Sequence, residues 1–415
     1  MMIENDGAAE FEVVVWGASG FTGKIVVSYL LETYGCDPEK LRWAIAGRDE
    51  TKLKSVQREL GAEAVPLLLA DSRDRSALDQ LVSQTDVILS TVGPYALYGS
   101  ELVAACAEAG VHYCDLTGEV QWMRLMIDAH HETAQQSGAK IVHTCGFDSI
   151  PSDMGVFYLQ QQSMAAFNQY MPTVRYRLAA AAGGVSGGTI ASMLNMMDEV
   201  AQDSSIAEVL SDPYALNPVN TVTGRDTNES AAPIYDEVLG QWAGPFVMAA
   251  INTRVVRRSH ALAGMPYGPG FSYGEASLVG EGVRGYLKAL MAGITTGLGT
   301  ALAALPPIRK LLARLLPKPG EGPSPEKQAA GFFEVRLHGT SDEGDQRQIQ
   351  VRVTGDRDPG YGGTAKMIAE SAVCLAKEAK FGPGGVLTPS VAMGDLLIQR
   401  LVANAGLSFE VVKAD

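Results

Sequence analysis

A short apolar strand that runs straight into a glycine-spaced turn, and from there into a helix, leaves a chain few folds to adopt. Residues 12–16 read Glu-Val-Val-Val-Trp, a β-branched run. Gly17-Ala18-Ser19-Gly20-Phe21-Thr22-Gly23 follows at once, and a helical pattern with Ile25, Val26, Tyr29 and Leu30 on one face comes next. The physical need behind such a turn is the approach of a phosphate to bare backbone. Gly17 suits the tight turn, Gly20 removes the side chain where a pyrophosphate would sit, and Gly23 lets helix and strand pack closely. Ser19 and Thr22 add hydroxyl donors, and Phe21 lies between them in the loop. The spacing is one residue longer at the front than the usual dinucleotide fingerprint. Its position at the head of a strand–turn–helix unit is the context that gives it meaning.

The pattern then repeats. Strands are predicted at 41–46, 65–70, 86–92, 111–114 and 140–144, with helices at about 24–34, 50–60, 76–82, 101–109 and 121–136 between them. Strict alternation with short connections predicts a parallel sheet covered on both faces. Six strands of this kind make a Rossmann-type, doubly wound α/β domain over residues 1–150.

Which nucleotide it takes is read at the end of the second strand. NAD enzymes usually place an acid there for the ribose 2′-hydroxyl. This chain has Gly47-Arg48, and a guanidinium forks onto a 2′-phosphate and stacks on adenine. Lys52 adds charge, and Asp49 sits one residue beyond the acid's expected place. NADP is therefore favoured, with NAD as the alternative and a surface Arg48–Asp49 pair as the plain reading. Asp71, after the third strand, is either at the adenine edge or an ordinary cap. Thr91, Val92, Gly93 and Pro94 end the fourth strand, where the loop reaches the middle of the cofactor. Tyr95 and Tyr98 follow beside the reacting ring, or simply pack on the sheet's edge.

Charge and cysteine usage narrow the rest. The 33 Lys and Arg against 47 Asp and Glu give a formal charge of −14, which argues against a nucleic-acid partner. The five cysteines are scattered without a CxxC pair, which suits a reducing cytoplasm rather than a disulfide scaffold. The start lacks a basic region and an apolar run, so no signal peptide is expected. The six histidines form no metal-ligand spacing, and no metal is expected.

Several segments together resemble the saccharopine dehydrogenase-like oxidoreductases, and within them the branch of trans-acting enoyl reductases. They are the glycine loop, Ala46-Gly47-Arg48, Gly93-Pro94-Tyr95, the stretch from Tyr113-Cys114-Asp115 to Glu119, and Gly146-Phe147-Asp148-Ser149-Ile150-Pro151. The stretch from Gly183 to Thr189, Asp358-Pro359-Gly360-Tyr361 and Gly384-Gly385-Val386-Leu387 extend the likeness over nearly the whole chain. The resemblance implies a dinucleotide-binding oxidoreductase and fixes the substrate poorly, because fold analogy alone does not give function.

Beyond residue 150 the alternation breaks. A mixed α/β substrate domain is expected over 151–360, with strands at 174–179, 332–339 and 348–353 and a long loop at 211–245. Residues 361–415 are expected to be helices that return to the first domain. Arg254, Arg257 and Arg258 are read as a solvated helix face or an anchor for an anionic substrate. Between Glu281 and Glu321 there is no acid but six basic residues, among them Arg309, Lys310 and Arg314. Residues 284–318 therefore read as a core helix with a wet end, or as a peripheral contact with membrane lipid.

For catalysis the candidates are loop residues at the carboxyl edge of the sheet: Tyr95 and Asp148 first, with Asp115 and Glu119. Three readings stay open. One is an NADP-dependent reductase of a hydrophobic, lipid-derived enoyl substrate. Another is a saccharopine-type C–N oxidoreductase, for which Arg175, Arg177, Arg254 and Arg257 would supply a basic pocket. The third is a nucleotide-binding, lipid-associated protein without turnover. The oligomeric state is not legible.

Overall fold

The computed structural model describes residues 9–183, 187–303, 305, 307–309, 322–342 and 347–415. The first part runs β1 (Phe11–Trp16), α1 (Phe21–Tyr34), β2 (Trp43–Gly47), α2 (Glu50–Leu60), β3 (Leu67–Leu69), α3 (Arg75–Val82), β4 (Thr85–Ser90), α4 (Tyr95–Tyr98), α5 (Ser100–Ala109), β5 (His112–Asp115), α6 (Val120–Ser137) and β6 (Lys140–Val142). The second part runs α7 (Ile150–Phe167), β7 (Thr173–Ala182), α8 (Gly187–Gln202), α9 (Ser204–Ser211), β8 (Ile234–Asp236), β9 (Gln241–Gly244), α10 (Ala249–Leu262), β10 (Ser272–Gly280) and α11 (Gly282–Ala303). The chain closes with α12 (Pro325–Ala329), β11 (Phe332–Thr340), β12 (Gln348–Gly355), a π-turn (Pro359–Gly363), α13 (Thr364–Lys377), β13 (Gly385–Leu387), α14 (Pro389–Asn404) and β14 (Leu407–Ala414).

The first sheet has seven strands in the order β13-β6-β5-β4-β1-β2-β3, and every pairing in it is parallel. Its strands are apolar because helices cover both faces: Val13, Val14, Val15, Ala44, Ile45, Val87, Ile88 and Leu89 are all fully buried. The order reverses between β1 and β4, which pair from Phe11 with Thr85 to Trp16 with Ser90. A crevice at the carboxyl ends of these two strands is where such sheets bind ligands.

The second sheet is mixed, in the order β14-β12-β11-β7-β10-β9-β8. β7 and β10 pair in parallel and the remaining pairs are antiparallel. The segment expected to be a long loop at 211–245 holds β8 and β9. They are three and four residues long, too short for alternation to show.

The C-terminal segment divides between the sheets. β13 extends the first sheet beside β6, and β14 closes the edge of the second beside β12. α13 lies against β1, β4 and β5. Its buried Glu370 accepts from the Tyr29 and Tyr34 hydroxyls of α1, each at 2.7 Å, and from Arg400 of α14 at 2.9 Å.

The arginines of α10 do not form the solvated face expected of them. Arg254, Arg257 and Arg258 are 2–3% exposed. Arg254 donates to the Asp212 and Leu210 carbonyls, Arg257 pairs with Asp226 at 2.9 Å, and Arg258 donates to the Leu216 and Val386 carbonyls. Each guanidinium ties a distant loop to the helix. None of the three is left as an anchor for an anionic substrate.

Candidate cofactor and active site

The turn after β1 is built as its glycines require. Gly17 adopts φ +88°, and a Cβ there would lie 2.5 Å from a Val92 methyl. A Cβ on Gly23 would collide with the Gly17 carbonyl oxygen, so α1 sits directly on the turn. Gly20 is the exposed N-cap of α1, without a side-chain cap, and its nearest neighbour to an added Cβ is the Gly17 oxygen at 3.2 Å. The first-turn N–H groups therefore lack a side-chain acceptor and face an open approach, which fits a pyrophosphate. Ser19 and Thr22 are half-buried, with hydroxyls free of partners among the described residues. Phe21 is placed differently from its neighbours. Its ring packs edge-on against Tyr361, with centroids 5.1 Å apart, and so joins the turn to the π-turn rather than to a ligand.

At the end of β2, Arg48 is exposed and pairs with no carboxylate among the described residues. Asp49 is committed elsewhere: it caps α2, accepting from the Lys52 N–H at 3.1 Å. The surface Arg48–Asp49 pair is thus absent, and the guanidinium fits a 2′-phosphate. Asp71 accepts from the Arg73 N–H at 2.9 Å in a local turn, but it is not the helix cap that was one of its two readings: Asp74 caps α3, accepting from the Ala77 N–H at 3.1 Å.

The loop after β4 is locked from behind. Thr91 donates its N–H to the Trp16 carbonyl at 3.0 Å, and its hydroxyl reaches the Trp16 and Gly17 carbonyls. Val92 fills the space left by Gly17, and Gly93 and the cis-linked Pro94 carry the chain into α4. Glu119 then accepts from the Tyr95 and Ala96 N–H groups, each at 2.9 Å. Burial raises the Glu119 pKa, against the lowering effect of these N–H donors and the Ser192 hydroxyl. Asp115 is fully buried, accepts from the Thr117 and Thr144 N–H groups and pairs with His143 Nδ1 at 2.7 Å. Both acids are scaffold groups, not surface residues.

Tyr95 does not present its hydroxyl to the crevice as a proton donor should. It is 5% exposed, donates to the Ser90 carbonyl, accepts from the Leu116 N–H, each at 3.2 Å, and stacks on Trp122. Burial pushes its pKa well above the ordinary phenol value. The only proton it carries is already used to join the ends of β4 and β5.

Asp148 is the contrast. Its turn is fixed by the Phe147 N–H donating to Thr364 Oγ1 at 3.0 Å, and by the Ile150 N–H donating to the Gly146 carbonyl at 2.8 Å. The Asp148 side chain is half-buried and without a hydrogen-bond partner among the described residues. Burial pushes its carboxyl up to about 6. It stands in the turn between β6 and α7, at the carboxyl end of β6.

Sequence reasoning passed over His143 and α8. A histidine at the end of β6 was visible, but nothing local pairs it with Asp115. α8 crosses the Gly93 loop: Ser192 Oγ would lie 3.5 Å from a Cβ on Gly93, and Glu199 accepts from Gln121 at 2.8 Å. Arg309, read as part of a wet helix end or of a lipid contact, is 8% exposed and holds α8 through Asp198 at 3.0 Å and the Met197 carbonyl. Lys310, Arg314 and the leucines at 311–316 lie outside the described residues.

Residues 13–142 match the model of the saccharopine dehydrogenase NADP-binding domain. A Mycobacterium tuberculosis protein provisionally named a trans-acting enoyl reductase is 37% identical over 420 residues, covering 97% of this chain and 98% of its own. A trans-acting enoyl reductase of Mycobacterium bovis is 36% identical over 410 residues, covering 94% and 96%. The chain belongs to the trans-acting enoyl reductase family. It is an NADP-binding oxidoreductase of the saccharopine dehydrogenase-like type. Among solved structures, apo saccharopine dehydrogenase (L-Glu forming) of Saccharomyces cerevisiae has a TM-score of 0.53 at 13% identity, covering 97% of this chain and 100% of that one. That likeness shows a shared fold. In the family's terms, the NADP-binding domain spans the crevice between β1 and β4.

Proposed function

We propose that the chain is an NADPH-dependent reductase of an unsaturated, lipid-like acyl substrate, with Asp148 delivering the proton. The observation that carries this reading is the Asp148 carboxyl itself: in the turn at the carboxyl end of β6, half-buried, unpartnered among the described residues, and raised to about 6. Gly17, Ser19, Gly20, Thr22 and Gly23 would hold the pyrophosphate, Arg48 the 2′-phosphate, and Thr91 to Pro94 the middle of the cofactor. When bound, NADPH supplies a hydride to the β-carbon of the enoyl group. The electron pair of the double bond moves toward the α-carbon, beside the carbonyl, and takes the proton held on Asp148. Water then returns a proton to the half-exposed carboxylate.

The enoyl assignment comes from the named relatives. The apolar character of the substrate is supported by α8, which meets the Gly93 loop at Ser192 and on which Met193 is exposed and Leu194, Met196 and Met197 are half-buried. Methionine side chains adapt to irregular apolar chains. The reading includes peripheral contact with lipid from the cytoplasmic side; among the described residues no helix is long and apolar enough to cross a membrane. For the C–N alternative, Arg177 is bound to Asp236 at 2.6 Å and Arg175 to Ser272, so with Arg254 and Arg257 these guanidiniums are already engaged.

The test is NADPH oxidation with enoyl thioesters of increasing chain length, set against saccharopine, with products identified by mass spectrometry. Saturated acyl product, with turnover improving as the chain lengthens, is expected. Turnover of saccharopine alone, or tight NADPH binding without oxidation of any substrate, overturns the reading.

A further inference from the structure

α11 is built inside out. Its inward face is made of small residues: Gly285, Ala289 and Gly293 are buried. A Cβ on Gly285 would collide with the Gly280 carbonyl, and one on Gly293 with the Ala231 carbonyl, so the helix is pressed against backbone. The large apolar residues point the other way. Val283, Leu287, Met291, Ile294, Leu298 and Leu302 are 75, 51, 58, 52, 57 and 40% exposed. Successive members stand three or four residues apart, which places all of them on one face. The helix has 22 residues and so extends about 33 Å. A stripe of this length and character is not what a surface free of partners carries.

Charge and aromatic placement say what covers it. The only charged residues of α11 are Arg284 and Lys288, both exposed and both basic. Tyr286 packs edge-on against Trp242 of β9, at 4.9 Å between centroids, and Trp242 against Tyr235 of β8 at 5.2 Å. Tyr235 and Tyr286 remain well exposed beside the helix. An apolar stripe, flanking cations and amphipathic rings are the components of a helix that lies in a lipid interface. A second copy fits less well, because stripe packed on stripe would bring Arg284 and Lys288 against a helix that carries no acid.

We propose that α11 is an interfacial helix whose outward face seats in an anionic lipid surface. The proposal deepens the lipid-contact part of the functional reading and is independent of the chemistry at Asp148. The rest of the chain, more acidic than its net −14, is repelled by such a surface. Docking is therefore confined to this face, and the Arg284 end leads because both cations lie in the first two turns.

The experiment is flotation of the full chain with vesicles of phosphatidylglycerol and phosphatidylcholine in equal parts, with phosphatidylcholine vesicles as the comparison. The native chain should float with the anionic vesicles at low salt, weakly with the neutral ones, and less as salt rises. Arg284→Glu with Lys288→Glu should weaken binding by about tenfold or more. Leu287→Asp with Leu298→Asp should abolish it. All four positions are exposed, so NADPH affinity by calorimetry should match the native chain, and turnover of a short soluble enoyl thioester should be unchanged. Absence of flotation at low salt, or equal flotation of the variants, overturns the proposal. A dimer in sedimentation without vesicles, broken by Leu287→Asp, overturns it in favour of contact between copies. Failure of the reductase reading would show in the turnover assay and leave flotation untouched.

Discussion

The Glu119 carboxylate accepts from the Tyr95 N–H through one oxygen and from the Ala96 N–H through the other, each at 2.9 Å. It thereby fixes the start of α4, and with it the Gly93–Pro94 corner proposed to meet the middle of the cofactor. Glu119→Ala leaves two N–H groups unpaired in a nearly closed site. NADPH affinity should fall by about 1.5–3 kcal/mol, the worth of hydrogen bonds to a charged group, with the fold retained. Calorimetry and circular dichroism check the two halves. Affinity equal to the native chain would mean that the corner is held without Glu119.

Arg48 should read the phosphate that separates the two nicotinamide cofactors. It is exposed and unpaired among the described residues, and Asp49 is spent on capping α2. Arg48→Ala should weaken NADPH by about 1.5–3 kcal/mol and leave NADH nearly unchanged. Equal losses for both cofactors would remove Arg48 from the 2′-phosphate.

Gly20 and Gly23 separate binding from folding. A Cβ at Gly20 meets only the Gly17 oxygen at 3.2 Å, so Gly20→Asp should fold. It puts a carboxylate where the pyrophosphate is proposed to bind and should abolish dinucleotide binding. Gly23→Ala drives a methyl into the Gly17 carbonyl and forces α1 off its turn. Its cost should appear as about 1–3 kcal/mol of stability, typical of overpacking. Thermal unfolding with and without NADPH distinguishes the two. The idea fails if Gly20→Asp keeps near-native affinity or Gly23→Ala keeps the native melting temperature.

What the chain disclosed in advance was what is local. Six strands of the first sheet were legible from their apolar runs and because Gly61, Gly110 and Gly138 stop α2, α5 and α6 in the left-handed region; the seventh, β13, was not, since its three residues lie in the segment 361–415 read as helices. The roles of Gly17 and Gly23 were legible because a turn is decided within seven residues. The set of Glu119, Asp115 and His143 was not, since its partners lie more than twenty residues apart and meet only after the sheet forms. Arg254, Arg257 and Arg258 misled for the same reason: a period of basic residues looks wet until remote carbonyls arrive to bury it. α11 was legible only in part. Its hydropathy left a core helix or a lipid contact open, and only packing reveals that the small residues face in and the large ones out.

Asp148 ties activity, pH and stability to one carboxyl. Its pKa rises from 3.8 to about 6 on folding because burial penalises the charged form. A raised folded pKa means that this group's contribution is full below about pH 4 and is lost as pH rises through about 6. Above that, the ionised carboxylate costs up to about 3 kcal/mol, and about 1–2 kcal/mol after allowance for its partial exposure. Asp148→Asn should therefore raise stability near pH 8 by about 1–2 kcal/mol and bring progressively less as the solution is acidified. The same change removes the proton that the α-carbon needs, and kcat should fall by roughly 100- to 10,000-fold. In the native enzyme kcat/KM should decline with rising pH through about 6, because the donor must enter the reaction protonated. The amide variant should lose that limb while its NADPH affinity stays. Denaturant unfolding at several pH values and pH profiles of kcat/KM measure both effects on the same samples. A flat native profile, or an amide variant with native turnover, would leave Asp148 a buried carboxyl that strains the fold without serving the chemistry.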